Sequence, residues 1–109
     1  MRRAHVLYRD VVAGLLVENE HGYTFTYDPS YLADRQSEPI SLTMPLTDSP
    51  YESNVLFPFF DGLIPEGWLL DITVKNWKIN PNDRMGLLLA CCKDCIGAIG
   101  IVPINDEEE

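Results

Sequence analysis

Two acidic side chains in the second half of the chain are the first candidates for chemistry. Asp61 and Glu66 lie in the apolar stretch FFDGLIPEGWLL (59–70), which contains few other polar groups. Two carboxylates in apolar surroundings could act as general acid and general base, because burial raises the pKa of a carboxyl group. No third group that could orient the pair follows nearby. We therefore favour a helix-capping or solvent-facing role over catalysis for both residues.

The three cysteines are the second candidates. Cys91, Cys92 and Cys95 are an odd number in a chain without a recognisable signal peptide, which argues against a disulfide framework. Cys92 and Cys95 form a CxxC pair, which is typical of a redox centre or of half a zinc site. A zinc site needs four ligands, or three and a water molecule, and His5 and His21 are far away in sequence. We expect small buried cysteines in a packed turn, with redox and metal binding as alternatives.

Charge and the remaining motifs exclude several functional classes. The net charge is −9 and the eight basic residues are scattered, whereas nucleic-acid binding needs clustered Lys and Arg to displace counterions. The sequence contains no phosphate-binding loop, GxGxxG, HExxH or GxSxG motif. No apolar run reaches the ~18 residues that a membrane span requires. These observations predict a cytoplasmic, non-enzymatic protein without a cofactor, a metal, a membrane partner or direct contact with nucleic acid.

The first half of the chain reads as strands. AHVLYRD and VVAGLLVE form a hairpin pattern around a tight turn at Arg9-Asp10, and Gly14 is expected to mark a bulge. The segment GYTFTYD (22–28) alternates aromatic residues with threonines, which predicts a strand with one apolar face. DPS (28–30) predicts a turn or a short helical turn. PISLTMPL (39–46) is expected to be a further extended piece, and residues 47–54 a polar connector.

The second half reads as helices followed by one strand. Asn54 is the predicted N-cap of a helix that begins near Val55 and cannot run far past Gly62, because Pro65 disfavours helical geometry at Ile64. Pro65 suits the first position of a second helix that runs towards Trp77. DRMGLLLACC (83–92) predicts a third helix, and GAIGIVP (97–103) returns as the last strand.

The fold class that follows is α+β. We expect a small antiparallel β-sheet, built from the N-terminal half and a C-terminal strand, packed by about three helices. A chain of 109 residues suits one domain, which we place at residues 1–105. The acidic residues 106–109 are expected to be a solvated tail.

Several segments together resemble the N-terminal domain of HipA-type kinases. They are Ala13-Gly14, the Tyr-x-Phe-x-Tyr strand at 23–27, SLTMPL (41–46), FFDGLIPEG (59–67) and the DCIGA turn within 83–103. Each motif is modest alone, but their order and spacing over residues 6–103 are fairly specific. The Gly-rich loop, the catalytic Asp and the metal-binding Asp of the family's kinase domain would lie beyond the end of this sequence, which stops at DEEE.

The resemblance implies a stand-alone, HipS-type antitoxin of a tripartite HipBST toxin–antitoxin system. In such systems the kinase, HipT, is a separate chain, and HipB is the DNA-binding partner of a ternary complex. The family's kinases act on aminoacyl-tRNA synthetases, so the downstream effect would be on translation. The charged end favours a natural chain terminus. The alternative is an N-terminal domain or subunit that stabilises a HipA-like kinase without inhibiting it.

The Gly- and Pro-broken corner after residue 58 is the predicted partner-binding site. Its glycines and proline are expected to hold two short helices at an angle, with one tryptophan presented to the kinase. The predicted contact residues are Phe59, Asp61, Ile64, Pro65, Glu66, Gly67 and Trp68. Packing of Trp68 in the core with Leu69 and Ile72 is the alternative. Of Phe59 and Phe60, one is expected in the core and the other facing the partner.

Overall fold

The computed structural model describes residues 2–64, 83–91 and 98–104, and in them it contains one antiparallel sheet covered by helices. The strands are Arg2–Tyr8 (β1), Val11–Asn19 (β2), Gly22–Tyr27 (β3), Tyr51–Ser53 (β4) and Ile99–Ile104 (β5), in the spatial order β4-β3-β2-β1-β5. The helices of the described residues are Pro29–Ala33 (α1), Pro58–Asp61 (α2) and Arg84–Cys91 (α3). The predicted α+β class, with a C-terminal strand completing the sheet, is confirmed. The helix expected after Pro65 lies outside the described residues.

The β1–β2 hairpin follows the sequence pattern closely. Arg9 and Asp10 both have positive φ, 52° and 67°, as the two central residues of a tight type I′ hairpin turn require. The pairing shifts between Val6, which faces Gly14, and Leu7, which faces Val12. Ala13, between Val12 and Gly14, is therefore the extra residue of a β-bulge, next to Gly14, where the bulge was expected.

The core lies on the face of the sheet that β3 lines with aromatic rings. Phe25 and Tyr27 are buried and their rings meet edge to face, with centroids 5.0 Å apart. Phe25 pairs with Leu16, which in turn pairs with Ala4, so these side chains form one buried row across three strands. The same buried cluster includes residues from every described helix: Tyr31, Phe60, Met85, Leu87 and Leu88. The helices therefore cover this face.

The segment between β3 and α2 differs from the sequence-based expectation in three respects. PISLTMPL is not an extended piece, because Ser41 and Met44 close a tight turn. The polar connector contains strand β4, which pairs with β3 at the edge of the sheet. Asn54 is not a helix N-cap, since α2 begins at Pro58 with Phe57 in the cap position.

The last of these differences has a simple steric cause. A residue that precedes proline is driven out of the helical region by the proline ring. Phe57 accordingly has extended geometry, with φ −53° and ψ 136°, so a helix cannot run from Val55 through this position.

Helix α1 agrees with the short helical turn predicted at DPS (28–30). Asp28 caps this helix by accepting from the backbone N–H groups of Ser30 and Tyr31. No helix in the described part of the chain has the length and apolar character of a membrane span.

Candidate functional site

Helix α2 is held to the sheet by a cluster of aromatic rings. Pro58 takes the first helical position, where a missing N–H is harmless. Phe60 is fully buried, and the centroid of its ring lies 5.6 Å from that of Phe25 and 6.0 Å from that of Phe57. Phe59 is partly buried against the same cluster, with its ring centroid 5.2 Å from that of Phe60. Of the two adjacent phenylalanines, Phe60 is therefore the one in the core.

The chain after α2 turns at residues 61–64, which we call the α2 corner. Gly62 ends the helix and donates its N–H to the carbonyl of Pro58 at 2.9 Å. Leu63 then donates to the carbonyl of Phe60 at 3.0 Å, and Ile64 donates to that of Asp61 at 3.2 Å. Ile64 is buried. These overlapping turns fix the direction in which the chain leaves α2 towards residue 65.

The α2 corner is tied to the rest of the domain by a chain of ion pairs. Asp61 Oδ1 accepts from Nε of Arg84, the first residue of α3, at 2.6 Å. The neighbouring Asp83 accepts from Nη1 and Nη2 of Arg2 at 2.7 and 2.8 Å. Arg2 also donates from Nε and Nη2 to the carboxylate of Glu18 at 2.6 and 2.8 Å. Strands β1 and β2 thus hold the start of α3, and α3 in turn holds α2.

Besides its ion pair with Arg2, Asp83 also binds the backbone at the start of α3. Its Oδ1 also accepts from the backbone N–H of Gly86 at 3.1 Å, which satisfies a free donor in the first turn of α3. The hydrogen bonds from Arg2, followed by that from Gly86 and opposed by partial burial, hold the pKa of Asp83 below its usual value. The same contacts with Asp83 and Glu18 raise the pKa of Arg2. Both groups are therefore charged throughout the physiological pH range.

The structure describes only part of the predicted contact set. Phe59, Asp61 and Ile64 lie together in and beside α2. The remaining predicted contact residues lie outside the described part of the chain: Pro65, Glu66, Gly67 and Trp68. The proposed pairing of the two carboxylates falls there as well, although the ion pair with Arg84 gives Asp61 a structural role.

The cysteines and histidines form no described cluster. Cys91 is the last residue of α3, whereas Cys92 and Cys95, the CxxC pair, lie outside the described residues. His5 lies in β1 and His21 in the turn between β2 and β3, and both are exposed. Within the residues that the structure describes, no group of three or more His, Cys, Asp or Glu side chains could hold a metal ion.

A feature that sequence reasoning missed is the tight turn at residues 41–44, which we call the Leu42 turn. The N–H of Met44 donates to the carbonyl of Ser41 at 3.1 Å, and the N–H of Thr43 donates to Ser41 Oγ at 3.2 Å. The hydroxyls of Ser41 and Thr43 are also hydrogen-bonded, at 2.9 Å. The side chain of Leu42 is 95% exposed. Serine at the first position of a turn was the available signal.

The base of the Leu42 turn is fixed by one buried tyrosine. The hydroxyl of Tyr27 donates to the carbonyl of Met44 and accepts from the N–H of Ile40 at 3.1 Å. Ile40 and Met44 are both buried in the core, so the two ends of the turn are held from within. Burial raises the pKa of Tyr27, which keeps the hydroxyl protonated and able to donate.

Comparison with known proteins supplies the family. A model of the HipA N-terminal domain matches residues 4–102, which is nearly the whole chain. This chain belongs to the HipA N-terminal domain family. A solved structure of the N-terminal domain of HipA toxin superimposes with a TM-score of 0.75 at 32% sequence identity, covering 97% of this chain and 95% of that one. The resemblance drawn from the motifs is thereby confirmed, and the family places the domain in a toxin–antitoxin context.

Two relatives in sequence show this HipA N-terminal domain in different settings. An uncharacterised protein of Haemophilus influenzae is 38% identical over 95 residues, which are 87% of this chain and 85% of that protein. The putative kinase Y4mE of Sinorhizobium fredii is 27% identical over 108 residues, which are 98% of this chain but 26% of that protein. One relative is therefore little longer than the domain, and the other contains it as a minor part.

Proposed function

We propose that this chain is a HipS-type, antitoxin-like module that binds a HipT-type Ser/Thr kinase and inhibits it without catalysing a reaction itself. The observation that carries the proposal is the family match over residues 4–102 together with a relative of nearly the same length. In a relative that is little longer than this domain, any kinase that the domain serves must be a separate chain. We place the complex in the cytoplasm, with a HipB-type DNA-binding protein as its third member.

The α2 corner is the proposed centre of the contact. Its backbone is fixed by consecutive hydrogen bonds and by the Asp61–Arg84 ion pair, so the segment that follows leaves a rigid support. A rigid support lowers the entropy lost on binding. Trp68, four residues beyond Ile64, is the proposed hot spot, since tryptophan buries a large flat area and retains one hydrogen-bond donor.

The rest of the predicted contact set is proposed to support Trp68. Phe59 is partly buried and has surface left to offer a partner, whereas Ile64 is buried and would pack beneath the contact. Pro65, Glu66 and Gly67 would form the turn that presents the tryptophan. Because the contact at the α2 corner is mainly apolar, moderate salt should weaken this contact little.

A second candidate function is a structural subunit that stabilises a HipA-like kinase without inhibiting it. The relative that favours this function is the putative kinase Y4mE, in which the matching region is only about a quarter of the protein. In a chain of that kind the domain stays beside its kinase permanently. Inhibition is therefore the property that separates the two candidates.

The deciding experiment measures binding and inhibition together. The chain is titrated into a purified HipT-type kinase while autophosphorylation is followed, and the Kd is measured by calorimetry. Wild type should inhibit saturably. Trp68→Ala should weaken binding by at least about 2 kcal/mol, which is the threshold for an interface hot spot.

Trp77→Ala, which changes the other tryptophan, is the matched control, and circular dichroism checks that each variant is folded. Tight binding without inhibition would favour the structural subunit. A Trp68→Ala variant that fails to fold would place that side chain in the core. Absence of binding by the folded wild-type chain would refute both candidates.

A further inference from the structure

The Leu42 turn presents the most exposed large apolar side chain of the described residues. Leu42 is 95% exposed, and the stretch ISLTMPL (40–46) around it contains no charged residue. Leu46, four residues later, is 37% exposed. A single exposed leucine on a surface needs no explanation by itself. The structure around this one is what distinguishes it.

The Leu42 turn is held by hydrogen bonds within it and by hydrogen bonds from the core. Hydrogen bonds inside the turn link Ser41 to both Thr43 and Met44, and the buried hydroxyl of Tyr27 closes its base. The leucine is thereby held away from the core by a frame that is itself anchored in the core. An apolar side chain that is already fixed in its bound position loses little conformational entropy when a pocket receives it.

The negative charge around the Leu42 turn favours one kind of partner. Glu38 and Asp48, which flank the uncharged stretch, are exposed, and the whole chain carries a net charge of −9. Nucleic acids and anionic membranes repel such a surface. An apolar pocket with Lys or Arg at its rim would complement it in both shape and charge.

The turn also lies on the same side of the sheet as the α2 corner. Ile40 and Met44 belong to the buried cluster that contains Phe60 of α2, and this cluster fills one face of the sheet. The Leu42 turn and α2 therefore belong to the same face of the sheet, which a single partner can cover. Val102, by contrast, pairs with His5 and lies on the opposite face, and it is 43% exposed.

We propose that the Leu42 turn is a second docking point for the kinase, which receives the Leu42 side chain in an apolar pocket with a basic rim. This inference rests on the proposed function, because the partner is the same kinase. It adds a contact in the first half of the sequence to the one proposed at the α2 corner. A second contact restricts the orientation of the bound domain more than the α2 corner does alone.

The test compares Leu42→Ser with Val102→Ser in the full chain. Both variants remove an exposed aliphatic side chain, but from opposite faces of the sheet. Leu42→Ser should raise the Kd for the kinase roughly 10- to 100-fold, as expected when a buried leucine is lost from an interface. Val102→Ser should change the Kd by about twofold or less. Leu42→Ala is a second variant in case the serine disturbs the turn, and it should weaken binding by about tenfold.

Each outcome bears on one proposal or on both. If wild type binds, Trp68→Ala binds weakly and both Leu42 variants bind as wild type does, this inference is refuted and the proposed function stands. If folded wild type does not bind the kinase, both are refuted. Light scattering measures the oligomeric state of each variant. If wild type is a dimer and Leu42→Ser is a monomer, the Leu42 turn binds a second copy of this chain, and the proposed kinase contact is refuted.

Discussion

The hydroxyl group of Tyr27 offers the sharpest test of how the Leu42 turn is held. Tyr27→Phe removes one oxygen atom and leaves the ring, which packs edge to face on Phe25, unchanged in shape. The lost oxygen bonds the N–H of Ile40 and the carbonyl of Met44. Both backbone groups belong to buried residues, so neither gains an obvious replacement partner.

The expected loss of stability follows from these two groups. A buried polar group that loses its partner is destabilising by about 1–3 kcal/mol. Two such groups, partly relieved by small shifts of the backbone, should lower the free energy of unfolding by roughly 2–4 kcal/mol. For a domain of about 100 residues, this corresponds to a fall in Tm of roughly 10 °C or more.

Tyr51→Phe is the matched control for this variant. The hydroxyl of Tyr51 also donates to a backbone carbonyl, that of Pro45, at 2.6 Å, but this hydrogen bond is exposed. Water can replace the lost hydroxyl there, so the free energy of unfolding should fall by less than about 1 kcal/mol. Urea denaturation followed by circular dichroism measures both variants.

The two variants should also differ in kinase binding. Tyr27→Phe should weaken it although Tyr27 is buried, because the Leu42 turn would lose its fixed geometry before binding. Equal stability of Tyr27→Phe and Tyr51→Phe would refute the argument that the buried hydroxyl holds the turn. A stability loss without any change in Kd would separate the turn from the interface.

Two further predictions concern a pair of glycines and the buried or partly buried tyrosines. Gly14→Ala should lower the free energy of unfolding by about 2 kcal/mol or more, since a Cβ there would lie 2.5 Å from the carbonyl oxygen of Thr26. In Gly62→Ala the new Cβ would lie 3.3 Å from the nearest atom, so the free energy of unfolding should change by less than about 1 kcal/mol. Thermal melts in which Gly62→Ala is less stable than Gly14→Ala would contradict the close packing of β2 at Gly14. The pKa values of Tyr23, Tyr27 and Tyr31 are raised, mainly by burial, so the unfolded chain releases these protons first. Stability should therefore fall as the pH rises above about 10, less steeply in Tyr27→Phe, and urea midpoints that stay constant between about pH 9 and 11 would refute this.

Local sequence signals predicted the elements whose structure is determined locally. The alternation of Tyr23, Phe25 and Tyr27 predicted β3, since one face of a half-buried strand must be apolar. The β-branched and aromatic residues of AHVLYRD and VVAGLLVE predicted the β1–β2 hairpin, with Arg9-Asp10 as its turn. Both predictions needed only residues close together in the chain.

The errors arose where distant contacts decide the conformation. Strand β4 has only three residues, and its existence depends on pairing with β3, from which it is separated by a long segment that contains α1 and the Leu42 turn. Ser41 is a local signal for the Leu42 turn, but the hydroxyl group of Tyr27 that closes the base of the turn comes from β3, and no local pattern reveals that contact. Asn54 is different, because the steric effect of Pro58 on Phe57 was available from the sequence and outweighs a favourable capping residue.

The candidate site divides in the same way. The glycine and proline positions predicted that a helix ends near Gly62, as α2 does, but the pairing of Asp61 with Arg84 joins residues far apart in sequence. Neither residue type nor spacing identifies such a pair. The link from Arg2 through Asp83 to α3 is likewise a product of the fold.

The position of β1 in the sheet has a consequence for how the protein is made. Of the five described strands, β1 is synthesised first, but one of its two neighbours is β5. The pairing of Arg3 with Ile104 therefore cannot form until residue 104 has been synthesised. The β1–β2–β3 meander can form early from local contacts, whereas the last pairing joins the most distant strands and is expected to be slow. During translation the outer edge of β1 remains open, and an open edge invites pairing with other chains. We therefore expect a chain that ends before Ile99 to leave this edge of β1 unpaired and to aggregate more readily than a chain that includes β5.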